Sequence, residues 1–115
     1  MNIKIGLATS NSKSLLEVVL KSNGIFHYFD SITLTDEVSR GKNFPDVYLL
    51  AAEKLGVNPA QCVVFEDILP AVKGAKAAGM KVVAVYDSSS KDQKEDIIIN
   101  SDMYILEYNE LIAAI

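Results

Sequence analysis

Hydrophobic residues along the chain alternate between two kinds of pattern. Short apolar runs, typical of buried strands, lead into segments whose apolar residues recur every three or four positions, as in amphipathic helices. The runs predict strands at 3–8, 29–34, 63–65, 81–86 and 103–106, and the periodic segments predict helices at 14–22, 45–55, 70–78, 91–100 and 109–115. This alternation predicts an α/β fold, a parallel sheet with helices on both faces and right-handed crossovers.

Proline and glycine mark the ends of the predicted helices. Pro45 and Pro70 suit a first helical turn, whereas Gly56 and Gly79 follow helix ends, where glycine readily adopts the left-handed conformation. The segment 91–100 stays open between two interpretations, because its run Ile97–Ile99 also fits a strand.

Composition and charge narrow the classes of protein. With 115 residues the chain is expected to form one domain spanning 1–115. The net charge is −4 and no block of lysine or arginine forms a basic face, so nucleic acid is not expected as a partner. No apolar run approaches the roughly 20 residues that span a bilayer, so no membrane association is expected either. Cys62 is the only cysteine, which excludes a disulfide framework and a zinc cluster and favours a reducing, cytoplasmic compartment.

Three polar clusters lie where an α/β sheet binds ligands. The carboxyl ends of parallel strands share one edge, so residues far apart in sequence can converge there. Hydroxyl and backbone N–H groups at a helix start hold phosphate, a lysine neutralises negative charge, and paired carboxylates suit Mg²⁺. Together these groups predict a phosphoryl-transfer site. The clusters are Thr9, Ser10 and Asn11 after the first strand, Lys42 before the second helix, and Glu66 and Asp67 after the third strand.

Each cluster also has a purely structural interpretation. Thr9, Ser10 and Ser12 are suited to cap a helix, Lys42 to be a solvated loop residue, and the acid pair to favour a helix N-terminus through its dipole. No serine-hydrolase, P-loop or dinucleotide-binding motif occurs in the sequence. Only the joint order of the three clusters therefore favours chemistry.

The order LATSN, GKNFPDVYLLAAEKLGV, VVFEDILPAVKGAKAAGM resembles the haloacid dehalogenase (HAD) superfamily, especially its β-phosphoglucomutase and phosphoglycolate-phosphatase branch. The resemblance covers nearly the whole chain. It implies a three-layer Rossmann-like sheet and a Mg²⁺-dependent phosphatase or phosphomutase that acts on a small phosphorylated metabolite.

The resemblance also implies roles for individual residues. Thr9 matches the phosphoryl-binding residue of the family's second motif, and Ser10 and Asn11 extend that loop. Lys42, in the pattern GKxxPD, matches the third-motif lysine, which pairs with the phosphoryl group and the nucleophilic carboxylate. Glu66 and Asp67 match the Mg²⁺-positioning acids of the fourth motif. In that motif, Ile68 and Ala71 replace the serine and glycine of the usual EDSxxG.

The family's nucleophile, an aspartate in a DxDGT-like motif, has no counterpart in the sequence. The chain begins where the family's second strand begins, so we expect a partial core domain without the usual central strand and cap. We expect this chain alone to be inactive and to bind Mg²⁺ weakly or not at all. Its half-sheets must pair directly, leave a gap or recruit a strand, so self-association through exposed sheet edges is an expectation too. The alternative function is a non-catalytic subunit or remnant that binds phosphate or a partner chain.

Overall fold

Five strands and five α-helices alternate along the described part of the chain, which confirms the predicted α/β class. The computed structural model describes residues 3–114. The strands are β1 (Gly6–Thr9), β2 (Ser31–Leu34), β3 (Val63–Glu66), β4 (Lys81–Val85) and β5 (Met103–Ile105), and the helices are α1 (Lys13–Ser22), α2 (Asp46–Leu55), α3 (Leu69–Ala77), α4 (Lys94–Asn100) and α5 (Asn109–Ala114). The last helix was predicted to reach Ile115, which lies outside the described residues.

Two strands begin later than predicted, the second of them at Ser31 rather than residue 29, and the open segment 91–100 contains a helix. The first strand was predicted from residue 3 but begins at Gly6. The backbone N–H of Ile5 donates to the side chain of Asp30 at 2.7 Å, so this group is used by a side chain rather than by a neighbouring strand. The segment 91–100 divides into the end of a 3₁₀ turn, Ser88–Gln93, and the helix α4, so Ile97–Ile99 is helical.

The strands form two separate parallel sheets. One has the order β1–β2, with Gly6 opposite Ser31, and the other has the order β3–β4–β5, with Val63 opposite Lys81. Among the described residues β1 and β3 do not pair, so the two half-sheets do not join directly. Each half therefore has two unpaired outer edges, among them the side of β1 away from β2 and the side of β3 away from β4.

Two helices connect the half-sheets through a common core. Helix α2 packs on β1 and β2, α3 packs on β3 and β4, and the two helices contact each other. The alanine-rich α3 packs closely, with Ala71 and Ala75 fully buried. The buried core consists of Val47, Tyr48, Ala52, Val72, Ala75, Ala78, Met80, Val82, Ala84 and Ile97. None of the helices within residues 3–114 has the length and apolar character needed to cross a bilayer.

Candidate functional site

The loop that carries Lys42 is closed by an ion pair between its two ends. The guanidinium of Arg40 donates to both carboxylate oxygens of Asp46, at 3.0 and 2.6 Å, and lies 4.2 Å from the centre of the Phe44 ring. Asp46 is the first residue of α2. The hydrogen bond from Arg40 lowers the pKa of Asp46, and the N-terminal end of the helix dipole also favours a negative charge at this position.

Helix α3 packs closely against the same loop. A β-carbon built on Gly74 would lie 1.9 Å from the carbonyl oxygen of Lys42 and 2.9 Å from that of Phe44. Only a residue without a side chain allows this approach. The backbone of Lys42 is therefore placed by contact with α3, the helix that follows the acid pair.

The side chain of Lys42 points to the end of β3. Its Nζ atom lies 2.5 Å from Oε2 of Glu66, and the hydroxyl of Tyr48 donates to the same oxygen at 2.7 Å. Only 20% of the lysine side chain and 10% of the glutamate side chain are exposed, and Tyr48 is 2% exposed. Burial raises the pKa of Tyr48 well above its usual range, and the nearby Glu66 carboxylate raises it further, so the hydroxyl stays protonated and donates.

Asp67, the second acid of the pair, is exposed and turns towards an open pocket. The pocket has a volume of about 350 Å³ and lies beside the carboxyl ends of β3 and β4. It is lined by Phe65, Glu66, Asp67, Val85, Tyr86, Asp87 and Tyr108.

The acid pair offers the oxygen ligands that Mg²⁺ prefers, although one oxygen of Glu66 already binds Lys42 and Tyr48. Within the described part of the chain, no group of three potential metal-binding side chains forms. The two carboxylates are therefore ligands of the type that Mg²⁺ prefers, and Asp67 is the accessible one. Two carboxylates are too few to enclose the ion.

The predicted phosphate-binding turn follows β1. Oγ1 of Thr9 accepts a hydrogen bond from the backbone N–H of Asn11 at 3.1 Å, which leaves the hydroxyl proton of Thr9 available to a ligand. Ser10 and Asn11 are exposed, and Ser12 caps α1 by accepting from Leu15. The capping interpretation is thus correct for Ser12, whereas Thr9 closes the turn.

The structure brings Lys42 and Glu66 into direct contact but does not join them to this turn. No hydrogen bond or ion pair between side chains of residues 3–111 links Thr9, Ser10 or Asn11 to either of them. The turn follows β1 of one sheet and Glu66 ends β3 of the other, so the two parts of the site lie on sheets that do not pair within the described residues.

The two departures from the EDSxxG pattern have local consequences. Ile68 occupies the N-cap of α3 and provides no side-chain cap, whereas a serine there could accept from the first turn. Ala71 is fully buried in the core. The contact between Lys42 and Glu66 forms despite both changes.

Sequence reasoning missed Tyr48 and Gly74. Tyr48 lies in an apolar helical stripe, and nothing local in the sequence indicates a hydrogen-bond partner 18 residues away. Gly74 did carry a signal, since a glycine inside a helix often marks a close approach of another backbone.

Comparison with known proteins identifies relatives of the chain. Residues 1–79 match the family model described as a haloacid dehalogenase-like hydrolase. The fructose-1-phosphate phosphatase YqaB of Escherichia coli is 41% identical over 81 residues, which cover 70% of this chain and 43% of that protein. The phosphorylated carbohydrates phosphatase of Thermotoga maritima is 38% identical over 92 residues, covering 80% of this chain and 43% of that protein. The chain thus spans less than half the length of these two relatives.

Solved structures of other proteins superimpose on the fold of this chain. A HAD phosphatase from Thermococcus onnurineus superimposes with a TM-score of 0.80 and 31% identity, covering 96% of this chain and 49% of that one. The β-phosphoglucomutase of Clostridium difficile superimposes with a TM-score of 0.75 and 27% identity, covering 97% and 48% respectively. Since nearly all of this chain is covered in each, both half-sheets correspond to parts of one larger fold.

Proposed function

Because the chain belongs to the haloacid dehalogenase-like hydrolases, we propose that it forms the phosphate- and metal-binding part of a Mg²⁺-dependent phosphatase or phosphomutase. The observation that supports this proposal best is the contact of Lys42 with Glu66. These residues come from two separate motifs, and they meet at the carboxyl end of β3 in a nearly buried ion pair. A solvated loop lysine, the structural alternative, would not be expected to form a nearly buried ion pair.

The residues present would divide the work of binding between them. Lys42 would neutralise the charge of a phosphoryl group, and the hydroxyl of Thr9 would donate to one of its oxygens, with Ser10 and Asn11 extending the turn. Asp67 would be the main carboxylate for Mg²⁺, with Glu66 mainly engaged in holding Lys42. When bound, the metal ion would supply positive charge that stabilises the transferring phosphoryl group.

The substrate class follows from the relatives. The E. coli relative is a fructose-1-phosphate phosphatase, and the T. maritima relative is a phosphatase of phosphorylated carbohydrates. We therefore propose a small phosphorylated metabolite, a sugar phosphate in the first instance, as the substrate of the complete enzyme.

The 115 residues alone are proposed to be inactive. The family forms an aspartyl-phosphate on a DxD-type motif, and this sequence contains no such motif. Lys42 and Thr9 can bind and orient a phosphoryl group, but neither provides the carboxylate that attacks phosphorus. Joined to a family segment that carries this motif, the chain should release phosphate from sugar phosphates in the presence of Mg²⁺.

Binding can be tested on the chain itself by an NMR titration with inorganic phosphate, with and without Mg²⁺. We expect shifts at the backbone amides of Thr9–Asn11 and Lys42, and about tenfold weaker binding in Lys42→Met and Thr9→Val, because each removes a donor to a charged ligand. Lys54→Met is the matched control, since Lys54 pairs with Glu37 instead. If phosphate shifted amide signals only outside these two segments, the proposed site would be contradicted. Rapid Mg²⁺-dependent release of phosphate by the pure chain would contradict its proposed inactivity.

A second candidate function, a non-catalytic subunit that associates with another chain, is favoured by one observation. The edge of β1 away from β2 and the edge of β3 away from β4 are both unpaired within the described residues. Unpaired strand edges readily accept another strand. Binding of another chain at these edges without any gain of phosphatase activity is the outcome that would favour this candidate over the first.

A further inference from the structure

One oxygen atom of Glu66 contacts two very different residues, because it forms an ion pair with Lys42 and accepts a hydrogen bond from Tyr48. Lys42 approaches Oε2 from a loop, through a long side chain with four rotatable bonds. Tyr48 approaches the same atom from the first turn of α2, through a rigid ring that is buried in the core. The two partners of this oxygen therefore differ greatly in how firmly their own positions are fixed.

The rigid partner is Tyr48. Its ring is packed within the core cluster, so its hydroxyl has little freedom to move relative to β3. Lys42, by contrast, loses considerable rotamer entropy when it is held in one place. A carboxylate that only Lys42 contacted could move together with the lysine towards solvent.

We propose that Tyr48 is a positioning residue, which fixes the carboxylate of Glu66 and, through it, the ammonium group of Lys42. When Lys42 turns to a ligand, the hydroxyl of Tyr48 still holds Glu66, so the carboxylate keeps its place and the lysine returns to the same position. The value of this arrangement for phosphate binding rests on the proposed function, but the positioning itself does not.

The reactivity of Lys42 measures this positioning directly. In competitive acetylation of the 115-residue chain followed by mass spectrometry, an amine held in an ion pair reacts more slowly than a free one. Tyr48→Phe keeps the ring and removes only the hydroxyl. We expect the acetylation rate of Lys42 to rise about threefold to tenfold, as the loss of a hydrogen bond to a charged group implies.

Two other lysines report whether the fold has loosened. Lys54 pairs with Glu37 at 2.8 Å and Lys76 with Asp102 at 2.9 Å, so general unfolding would raise their rates together with that of Lys42. Tyr104→Phe is the matched control variant, since Tyr104 is a partly buried tyrosine of β5 packed against the same core. It should leave the rate of Lys42 unchanged.

A double-mutant cycle tests whether Tyr48 acts through Glu66. In the Glu66→Gln background the ion pair is already lost, so adding Tyr48→Phe should produce little further increase in the rate of Lys42. An unchanged rate in Tyr48→Phe, or equal increases with and without Glu66→Gln, would overturn the proposal. Because no phosphate is present, these outcomes are independent of whether the proposed function is correct.

Discussion

Gly74 has a larger effect on the site than its position inside a helix suggests. Glycine weakens a helix interior by about 1 kcal/mol relative to alanine, so α3 would be a better helix with alanine at this position. The close approach of the Lys42 and Phe44 carbonyl oxygens to Gly74 explains why glycine is used. At this residue, the packing of the Lys42 loop outweighs helix propensity.

Replacing Gly74 by alanine should therefore destabilise the protein. The new methyl group would overlap the carbonyl oxygen of Lys42, and displacing that backbone costs about 1–3 kcal/mol, which exceeds the gain in helix propensity. We expect a lower free energy of unfolding in urea and altered amide shifts around Lys42. Gly41→Ala is the control from the same loop, because its methyl group would only reach Asn43 at 3.5 Å. A Gly74→Ala variant as stable as the original chain would show that the loop adapts freely.

The sequence predicted which residues form the site better than it predicted the contacts that these residues make. Lys42 and Glu66 were expected near one sheet edge and do meet there. Their assigned roles in phosphate and metal binding stay predictions. Glu66 was paired with Asp67 on the basis of adjacency, yet its closest contacts are Lys42 and Tyr48. Such contacts depend on which turn of α2 faces β3, and this tertiary packing leaves no local trace in the sequence.

Among the secondary-structure elements, α4 shows how tertiary packing decides an ambiguous pattern. Three consecutive isoleucines favour a strand by propensity. In the helix, Ile97 is buried in the core whereas Ile99 is 77% exposed, so one isoleucine anchors the segment. The short strand β5 begins at Met103 and pairs with β4, whose other edge is occupied by β3, so β4 offers no free edge to a strand at 97–99.

Asp102 lies just before β5, and its side chain links this strand to β4 and α3 by hydrogen bonds. Its carboxylate accepts from the backbone N–H of Val82 in β4 at 2.8 Å and from Lys76 in α3 at 2.9 Å. Both hydrogen bonds lower the pKa of Asp102, and the bond from Val82 has the larger effect. The ionised form is thus favoured in the folded protein.

The lowered pKa gives Asp102 a predictable dependence on pH. Its contribution to stability is fully present above the pKa of an unfolded aspartate, about 4, and is lost as the pH falls through the lower pKa of the folded state. We therefore expect Asp102→Asn to be less stable than the original chain at pH 7 and pH 5, with the difference shrinking towards pH 3. Urea unfolding at these three pH values measures this difference, and Asp92→Asn, at an exposed position of the Ser88–Gln93 turn, is the control. A constant difference across this range would contradict the assignment.

For the molecule as a whole, the order and type of the elements follow from the hydrophobic pattern, but the division of the sheet does not. Strand periodicity specifies which face of β1 or β3 is apolar, and says nothing about which strand lies beside it. The three possible arrangements of the half-sheets came only from the family resemblance. In the structure the two halves are held together by helix contacts between α2 and α3 rather than by strand pairing.

The unpaired edge of β3 makes self-association a testable property of the molecule. Val63 and Phe65 of this strand are 56% and 45% exposed, so apolar side chains accompany the free backbone groups of the edge. We expect sedimentation velocity to show a concentration-dependent increase in mean mass, because an edge of this kind accepts a strand from a second copy. Val63→Lys should shift the chain back to monomer, since a lysine on an edge strand opposes strand addition. Ile99→Lys places the same charge on the exposed side of α4 and should leave the association unchanged. A chain that stays monomeric at its highest soluble concentration would instead show that the packing of α2 against α3 is sufficient to protect the open sheet.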